Sequence, residues 1–292
     1  METNAIFRQC GFENRGAAAV LPAPHFAGKA TLALLVAIWF FVGHASEATL
    51  IASTDFESYP LGNVASSASP FFGANSAGIQ VTNSPTPFGP GNQFVQINSS
   101  LGLGSSGILN VQPLSTYKFD LFEPTTAQAG VIHFGLTSAD LNATAYITLR
   151  INNGAITVGA NTGLSSGSLP TLSLNTRYTA YVLYNDSGIS QSISNSGGAT
   201  LNDNEVALFF YNPATSVLLD GGRYTNNGTG SLPNRFIFRN FSGGANANTL
   251  YIDNFSLQDV LVVPEPSSLA LVGLACLTLW ARRRIARKAT TS

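Results

Sequence analysis

AYITLRINNGAITV, residues 145–158, is the stretch that decides the fold. Ala145, Ile147, Leu149 and Ile151 alternate with Tyr146, Thr148 and Arg150, a period of two that sends one set to a buried face and the other outward. Asn152, Asn153 and Gly154 then supply the positive φ that a tight hairpin turn requires. Ala155 to Val158 resumes the extended pattern. A helix would repeat every three to four residues, and nowhere in the body of the chain does such a period persist for three turns.

Outward from this hairpin the same reading holds. Upstream, Gly130 to Leu136 is the expected partner strand, with Ile132, Phe134 and Leu136 inward. Before it, Tyr117, Phe119 and Leu121 share one face while Lys118 and Asp120 take the other. Earlier strands are expected at Leu50 to Phe56, Ile79 to Thr82, Phe94 to Ile97 and Ile108 to Val111, with a turn over Glu57 to Gly62 after the first. Downstream, Tyr178 to Tyr184 and Val206 to Tyr211 are apolar on both faces, as strands covered on each side must be. Arg235 to Phe241 sets Phe236 and Phe238 inward, and Thr249 to Leu257 comes last. About a dozen strands with frequent turn signals predict an all-β, two-sheet β-sandwich of the jelly-roll type.

The two ends are different in kind. Near the N-terminus, Lys29 precedes the apolar stretch Thr31 to Gly43, and Ser46, Glu47 and Ala48 follow with small residues where a signal peptidase reads. Cleavage is placed after Ala48, with Ser46 as the alternative, and an uncleaved N-terminal anchor is the competing reading. The long leader is explained either by an extended n-region or by a start codon assigned too far upstream. At the other end stand Pro264, Glu265 and Pro266, an apolar run from Leu269 to Trp280, and then Arg282, Arg283 and Arg284, backed by Arg287 and Lys288. Proline fixes φ and disfavours helix in the residue before it, so the triplet is a stiff, extended break. Ser267 to Ala281 is shorter than the ~20 residues of a comfortable membrane span, and a short core helix is the other reading. Three consecutive arginines favour the membrane, as a stop-transfer cluster retained in the cytoplasm.

Between these ends lies a body of residues 49–263, sized for one all-β domain. Cys10 and Cys276 both fall in the terminal segments, so the body can make neither a disulfide nor a thiolate metal site. Trp39 and Trp280 fall there too. The body carries six basic residues against eleven acidic ones, a formal charge of minus five, which argues against nucleic acid or anionic lipid as a partner.

Taken in order, Val263, Pro264, Glu265, Pro266, Ser267, Ser268, the apolar run and the basic cluster resemble a PEP-CTERM sorting signal. The resemblance implies a bacterial chain handled by signal peptidase and then by an exosortase, a membrane-embedded cysteine transpeptidase-like enzyme. It implies cleavage near the triplet and delivery to the cell surface or extracellular matrix. The domains are then a signal peptide with a long n-region (1–48), a β-sandwich body (49–263) and the sorting signal (264–292), held transiently in the membrane by its C-terminal helix. The body more loosely resembles concanavalin A-like and carbohydrate-binding jelly rolls, through Asp55, Phe56 and Glu57 at its start, Arg177 to Asp186 in the middle, and Leu250 to Leu257 at its end. That resemblance implies first and last strands lying side by side. It also implies a structural calcium ion near them, with Asp55, Glu57 and Asp253 as ligands.

Catalysis finds less support. The Glu-x-Asp-x-Glu run of laminarinase-type enzymes of this class is absent, and the nearest carboxylate pairs are Asp55 with Glu57 and Asp203 with Glu205. For Asp203 and Glu205 a solvated turn is the simpler expectation. His133, the body's single histidine, sits on the polar side of its strand with no nucleophile elbow to serve. Tyr146, Tyr181 and Tyr211 are the rings able to face out of a sheet toward sugars. The expectation is therefore a non-catalytic, structural or adhesive surface protein, with a calcium-dependent carbohydrate-binding lectin-like module as the alternative and extracellular polysaccharide as the partner. Paired carboxylates about 5 Å apart in a cleft would instead indicate a glycosidase.

Overall fold

A computed structural model describes residues 48–63, 79–97, 103–105, 111–124, 132–137, 145–158, 162–166, 169–226, 235–240 and 249–264, all within the unit Ser46–Ser292. The apolar runs at both ends of the chain, the expected strand residues 108–110, and Glu265 onward lie outside the described residues. No helix of the described residues is long and apolar enough to cross a membrane.

The strands run in chain order. The first are β1 (Leu50–Thr54), β2 (Gly62–Asn63), β3 (Ile79–Thr82), β4 (Phe94–Ile97) and β5 (Leu103–Ser105). Next come β6 (Leu114–Phe122), β7 (Ile132–Thr137), β8 (Ala145–Asn152), β9 (Ala155–Val158), β10 (Thr162–Ser166) and β11 (Arg177–Asn185). The last are β12 (Gln191–Ser192), β13 (Thr200–Leu201), β14 (Glu205–Asn212), β15 (Val217–Asn226), β16 (Arg235–Asn240) and β17 (Leu250–Gln258). A ten-stranded sheet runs β10-β15-β14-β11-β6-β17-β4-β3-β2, with β1 added on β17, and a five-stranded sheet runs β5-β16-β7-β8-β9. All their strand pairs are antiparallel.

The hairpin at residues 145–158 forms as its sequence dictates. Asn153 and Gly154 both take positive φ, 51° and 76°, and β8 pairs with β9 across them. Ile147, Leu149 and Ile151 are buried and, with Leu136 and Phe238, form the inner face of the smaller sheet. Against them the large sheet sets Tyr117, Phe119 and Leu121 of β6, Tyr178, Ala180, Val182 and Tyr184 of β11, and Val206, Leu208 and Phe210 of β14. Phe119 and Phe238 meet edge to face at 5.5 Å across the two layers. This is a two-sheet β-sandwich. β1 lies on β17, so first and last strands are neighbours, and the amide of Thr49 donates to the Asp259 carboxylate at 2.7 Å.

Two departures from the sequence expectation have local causes. β1 ends at Thr54 instead of reaching Phe56, because Phe56 takes a φ of 61° and turns its ring into the core. β15, a ten-residue strand, carries no clean alternation, because Asp220, Gly221 and Gly222 interrupt it with a bulge. Gly222 supplies the positive φ, and a Cβ on Gly221 would lie 2.8 Å from Leu208 Cβ. Gly221→Ala is expected to cost about 2 kcal/mol by overpacking, read as a lowered urea midpoint at unchanged slope.

Candidate functional site

Alternation along the central strands leaves the large sheet a second, outer face. The register sets Asp253, Asp120, Thr179 and Tyr211 in one row across β17, β6, β11 and β14. The next row is Ser256, Lys118, Tyr181 and Phe209. Two segments cover parts of this face. At one side the loop after β3 lays Phe88 edge-on against Phe94 at 5.5 Å, and Phe94 in turn meets Tyr251 at 5.3 Å. At the other, residues 191–201 and 261–263 build a small second core from Ile193, Leu201, Leu261 and Val263 on Leu183, Ala207 and Phe209.

Under the first cover lies a polar network. Asp120 and Asp253 are both buried, at 2% and 0% exposure. Asp120 accepts from the hydroxyl of Thr179, from the Asn254 amide at 2.8 Å, and from Arg177 in an ion pair at 2.6 Å. Asp253 accepts from the Asn92 side chain, from the Asn254 backbone at 2.8 Å and from the Asn254 side chain at 3.2 Å. The single amide of Asn254 therefore bridges the two carboxylates. It reaches both because Asn254 sits at a break in the β17–β6 register with a φ of 49°. Arg177 stacks over Phe88 at 5.7 Å, and its buried Nε finds no acceptor.

Burial is the largest influence on Asp253 and raises its pKa from 3.8 to about 6. The Asn92 and Asn254 bonds and Arg177 pull it down, and the neighbouring Asp120 pushes it up. Between 3.8 and about 6 the folded chain holds a proton that the unfolded chain has released. The contribution of this group to stability therefore grows as pH falls through that window and is lost as pH rises through it. Carbon-13 NMR of the Asp253 carboxyl is expected to show a midpoint near 6; a midpoint near 4 would mean that the N–H donors outweigh burial.

Each of the residues expected as a calcium ligand has at least one carboxylate oxygen in a hydrogen bond. Asp55 accepts from the Glu57 backbone at 3.2 Å within the first turn. Glu57 accepts from the Gln93 backbone at 2.8 Å, one residue from the Asn92 that holds Asp253. Among the described residues no three carboxylate, imidazole or thiol side chains converge as a metal-binding group. The oxygens so engaged are Asp55 Oδ1, Glu57 Oε1 and both of Asp253. Asp203 lies in the turn before β14, where it accepts from the Gly188 backbone, and Glu205 is buried and accepts from the Asn202 backbone at 2.9 Å. Asn202 and Asn204 of that turn are exposed and Asp203 half-buried, and only Glu205 at the start of β14 is buried. The side chains of His133 and Tyr146 lie outside the description. Pro264 ends the last described segment, and Glu265, Pro266, Arg282, Arg283 and Arg284 lie beyond it.

Tyr181 and Tyr211 do lie on the outer face. Burial, then the charges of Asp120 and Tyr211, hold the Tyr181 phenol well above its ordinary pKa, so it stays a neutral hydrogen-bonding group. Between the two covers remain half-buried Lys118, Ser256 and Tyr211, with exposed Asn254 at the edge. Sequence reasoning missed Asn92 as a partner of Asp253, and Asp120 with its donors Thr179 and Arg177 as the other half of the network. No local pattern links residues 92, 120, 179 and 253, and the signal was only that Asp120 and Asp253 each interrupt an apolar strand.

No protein-family model matches the chain, and no curated protein matches it. Solved structures do show likeness. The catalytic domain of a glycoside hydrolase family 131 protein from Coprinopsis cinerea is 9% identical, with 71% of this chain and 93% of that one covered at a TM-score of 0.46. Lectin II from Ulex europaeus is 7% identical, with 65% and 97% covered at a TM-score of 0.39. The binding domain of botulinum neurotoxin serotype D is 13% identical at a TM-score of 0.42; 77% of this chain is covered, but only 52% of the toxin chain. This chain thus spans about half the length of that structure. Identity and score are too low for any residue of those proteins to be carried onto this one.

Proposed function

We propose that the chain is an exported bacterial surface protein that contacts extracellular polysaccharide through the outer face of its large sheet, in a structural or adhesive role. Its export and C-terminal handling rest on the two terminal segments, read as a signal peptide and a PEP-CTERM-type sorting signal. The observation that carries the body's role is the strip between the two covers. There, half-buried Tyr211, Lys118 and Ser256 stand beside exposed Asn254, a ring face with uncharged and basic donors suited to a hydroxyl-rich polymer. The body's sandwich would then be of the concanavalin A-like, jelly-roll kind.

Co-sedimentation of residues 49–263 with polysaccharide from the host tests this reading. Saturable binding is expected, weakened several-fold by Tyr211→Ala and by Lys118→Ala. Binding is expected to survive a chelator, because both Asp253 oxygens and one oxygen each of Asp55 and Glu57 already accept hydrogen bonds; chelator-abolished binding would establish the calcium-dependent lectin reading instead. No binding in either condition would leave a structural surface protein without a sugar ligand.

One observation favours a hydrolase. Asp120 and Asp253 share an amide, and their surroundings differ as those of an acid and its partner do. Against it, both side chains are buried and every carboxylate oxygen already accepts a hydrogen bond. No reducing ends are expected to appear when the body is incubated with the polymer. For the sorting signal, replacing Pro264, Glu265 and Pro266 with alanine is expected to leave the protein unprocessed in the membrane, and deleting Arg282 to Arg284 to release it past the bilayer. Wild-type maturation of both variants would overturn the sorting assignment.

A further inference from the structure

The chain does not leave the sandwich at the end of β17. Residues 259–263 turn back as a strap across the outer face, and nearly every turn of that strap is held. The buried Thr116 hydroxyl donates to the Val260 carbonyl and accepts from the Val262 amide at 3.2 Å. Ser194 donates its amide to the Leu261 carbonyl at 2.9 Å and accepts from the Val263 amide at 3.3 Å, a parallel bridge with Val262. Leu261 and Val263 are buried in the second core at 3% and 1% exposure. Asn195, held at a φ of 64°, donates its side-chain amide to the Val263 carbonyl at 3.1 Å. That last oxygen belongs to the peptide bond joining Val263 to Pro264.

An enzyme that cuts a peptide binds it extended, through the same main-chain N–H and C=O groups that an added β-strand would use. It also needs the scissile carbonyl free, since its donors must hold the oxyanion that forms there. Along this stretch the carbonyls of Val260, Leu261 and Val263 and the amides of Val262 and Val263 are already bonded inside the fold. We infer that the strap fixes the upstream limit of C-terminal processing: the sorting segment is removed on the C-terminal side of Val263, and the mature chain keeps the strap. This rests on the sorting reading above for the enzyme concerned. In that cleavage the acyl carbon passes from the nitrogen of the departing segment to water or an acceptor amine, and the departing nitrogen takes the proton that nucleophile gives up.

Two experiments on the full chain separate the strap from the sorting reading. First, the purified full chain in detergent is digested with a broad-specificity protease and its C-terminal peptides are weighed by mass spectrometry. Trimming is expected to halt beyond Val263 in wild type. Asn195→Asp, which removes the donor yet tolerates the same backbone conformation, is expected to raise the rate of cuts at residues 259–263 about ten-fold. Thr116→Val is expected to act in the same direction. Wild-type trimming through Val263 while β17 stays intact, or equal rates in all three proteins, would overturn the inference whatever the sorting enzyme does. Second, the mature protein is recovered from its host. A C-terminus containing Val263 but lacking Arg282 to Arg284 supports both readings. A C-terminus ending before Val263 overturns the strap limit. An intact C-terminus overturns the sorting reading, and the protease experiment still decides the strap.

Discussion

Gly154→Ala is expected to remove about 3 to 4 kcal/mol of folding stability, close to the most a single methyl can do. Two costs combine. Alanine at a φ of 76° is strained by about 1 kcal/mol or more. In addition, its Cβ would lie 2.2 Å from the Leu172 carbonyl oxygen, which is backbone and cannot swing aside. The segment at residues 171–172 would have to lift, breaking the bond from the Leu172 amide to the Gly154 carbonyl at 2.8 Å and the neighbouring Ala155–Thr171 bridge. Gly188 separates the two costs, because at a φ of 80° it has nothing within 4 Å of its would-be Cβ. Gly188→Ala should therefore cost only the strain, about 1 kcal/mol, in the same urea titration. Equal losses at the two positions would mean that the contact at Leu172 relaxes freely.

The second large effect is expected at Asp120. Asp120→Ala leaves the Thr179 hydroxyl, the Arg177 guanidinium and one amide hydrogen of Asn254 without their acceptor, in a site where Asp120 itself is 2% exposed. Arg177 is 37% exposed and Asn254 is exposed, so water reaches those two donors and the loss falls at the low end for a broken buried pair, about 3 kcal/mol. The variant should also lower the Asp253 midpoint, because one of the charges that raise it has gone. The comparison is Asp220→Ala. Asp220 pairs with Arg223 at 3.0 Å, but its own side chain is 59% exposed and the Arg223 left behind keeps the Gly222 carbonyl and the Phe209 ring, so the loss should stay at about 1 kcal/mol. A loss at Asp120 as small as that at Asp220 would mean that water enters the network when the carboxylate is removed.

How far the sequence carries depends on the range of the interaction that decides each feature. The hairpin at residues 145–158 was readable because its two determinants, period-two alternation and an Asn-Gly turn, lie within fourteen residues of one another. Tyr178 to Tyr184 and Val206 to Tyr211 were readable as central strands because burial on both faces keeps them apolar apart from Thr179. β15 was not, since the bulge that lets it pair replaces alternation with two glycines. The polar network was legible only at Asp253, through the resemblance that suggested an ion near the end strands; the distant Asn92 that bonds it, and Asp120 with its Arg177, were not legible. A carboxylate that interrupts an apolar strand announces that a partner exists. Which partner it is depends on strand order, and strand order is set by contacts more than a hundred residues apart.

The turn at Asn153 and Gly154 has a last consequence, for the chemical ageing of the protein. An Asn-Gly pair in a loose chain deamidates when the glycine nitrogen swings round to attack the preceding side-chain amide and close a succinimide ring. Here both backbone hydrogens of the pair are held by one buried carboxylate: Glu123 accepts from Asn153 at 2.7 Å and from Gly154 at 2.8 Å. The attacking nitrogen is thereby fixed in place, and the backbone cannot rotate to bring it round. While the sandwich stays folded this bond should outlast an ordinary Asn-Gly sequence, and a deamidated residue 153 in aged material would mark chains that had already come undone.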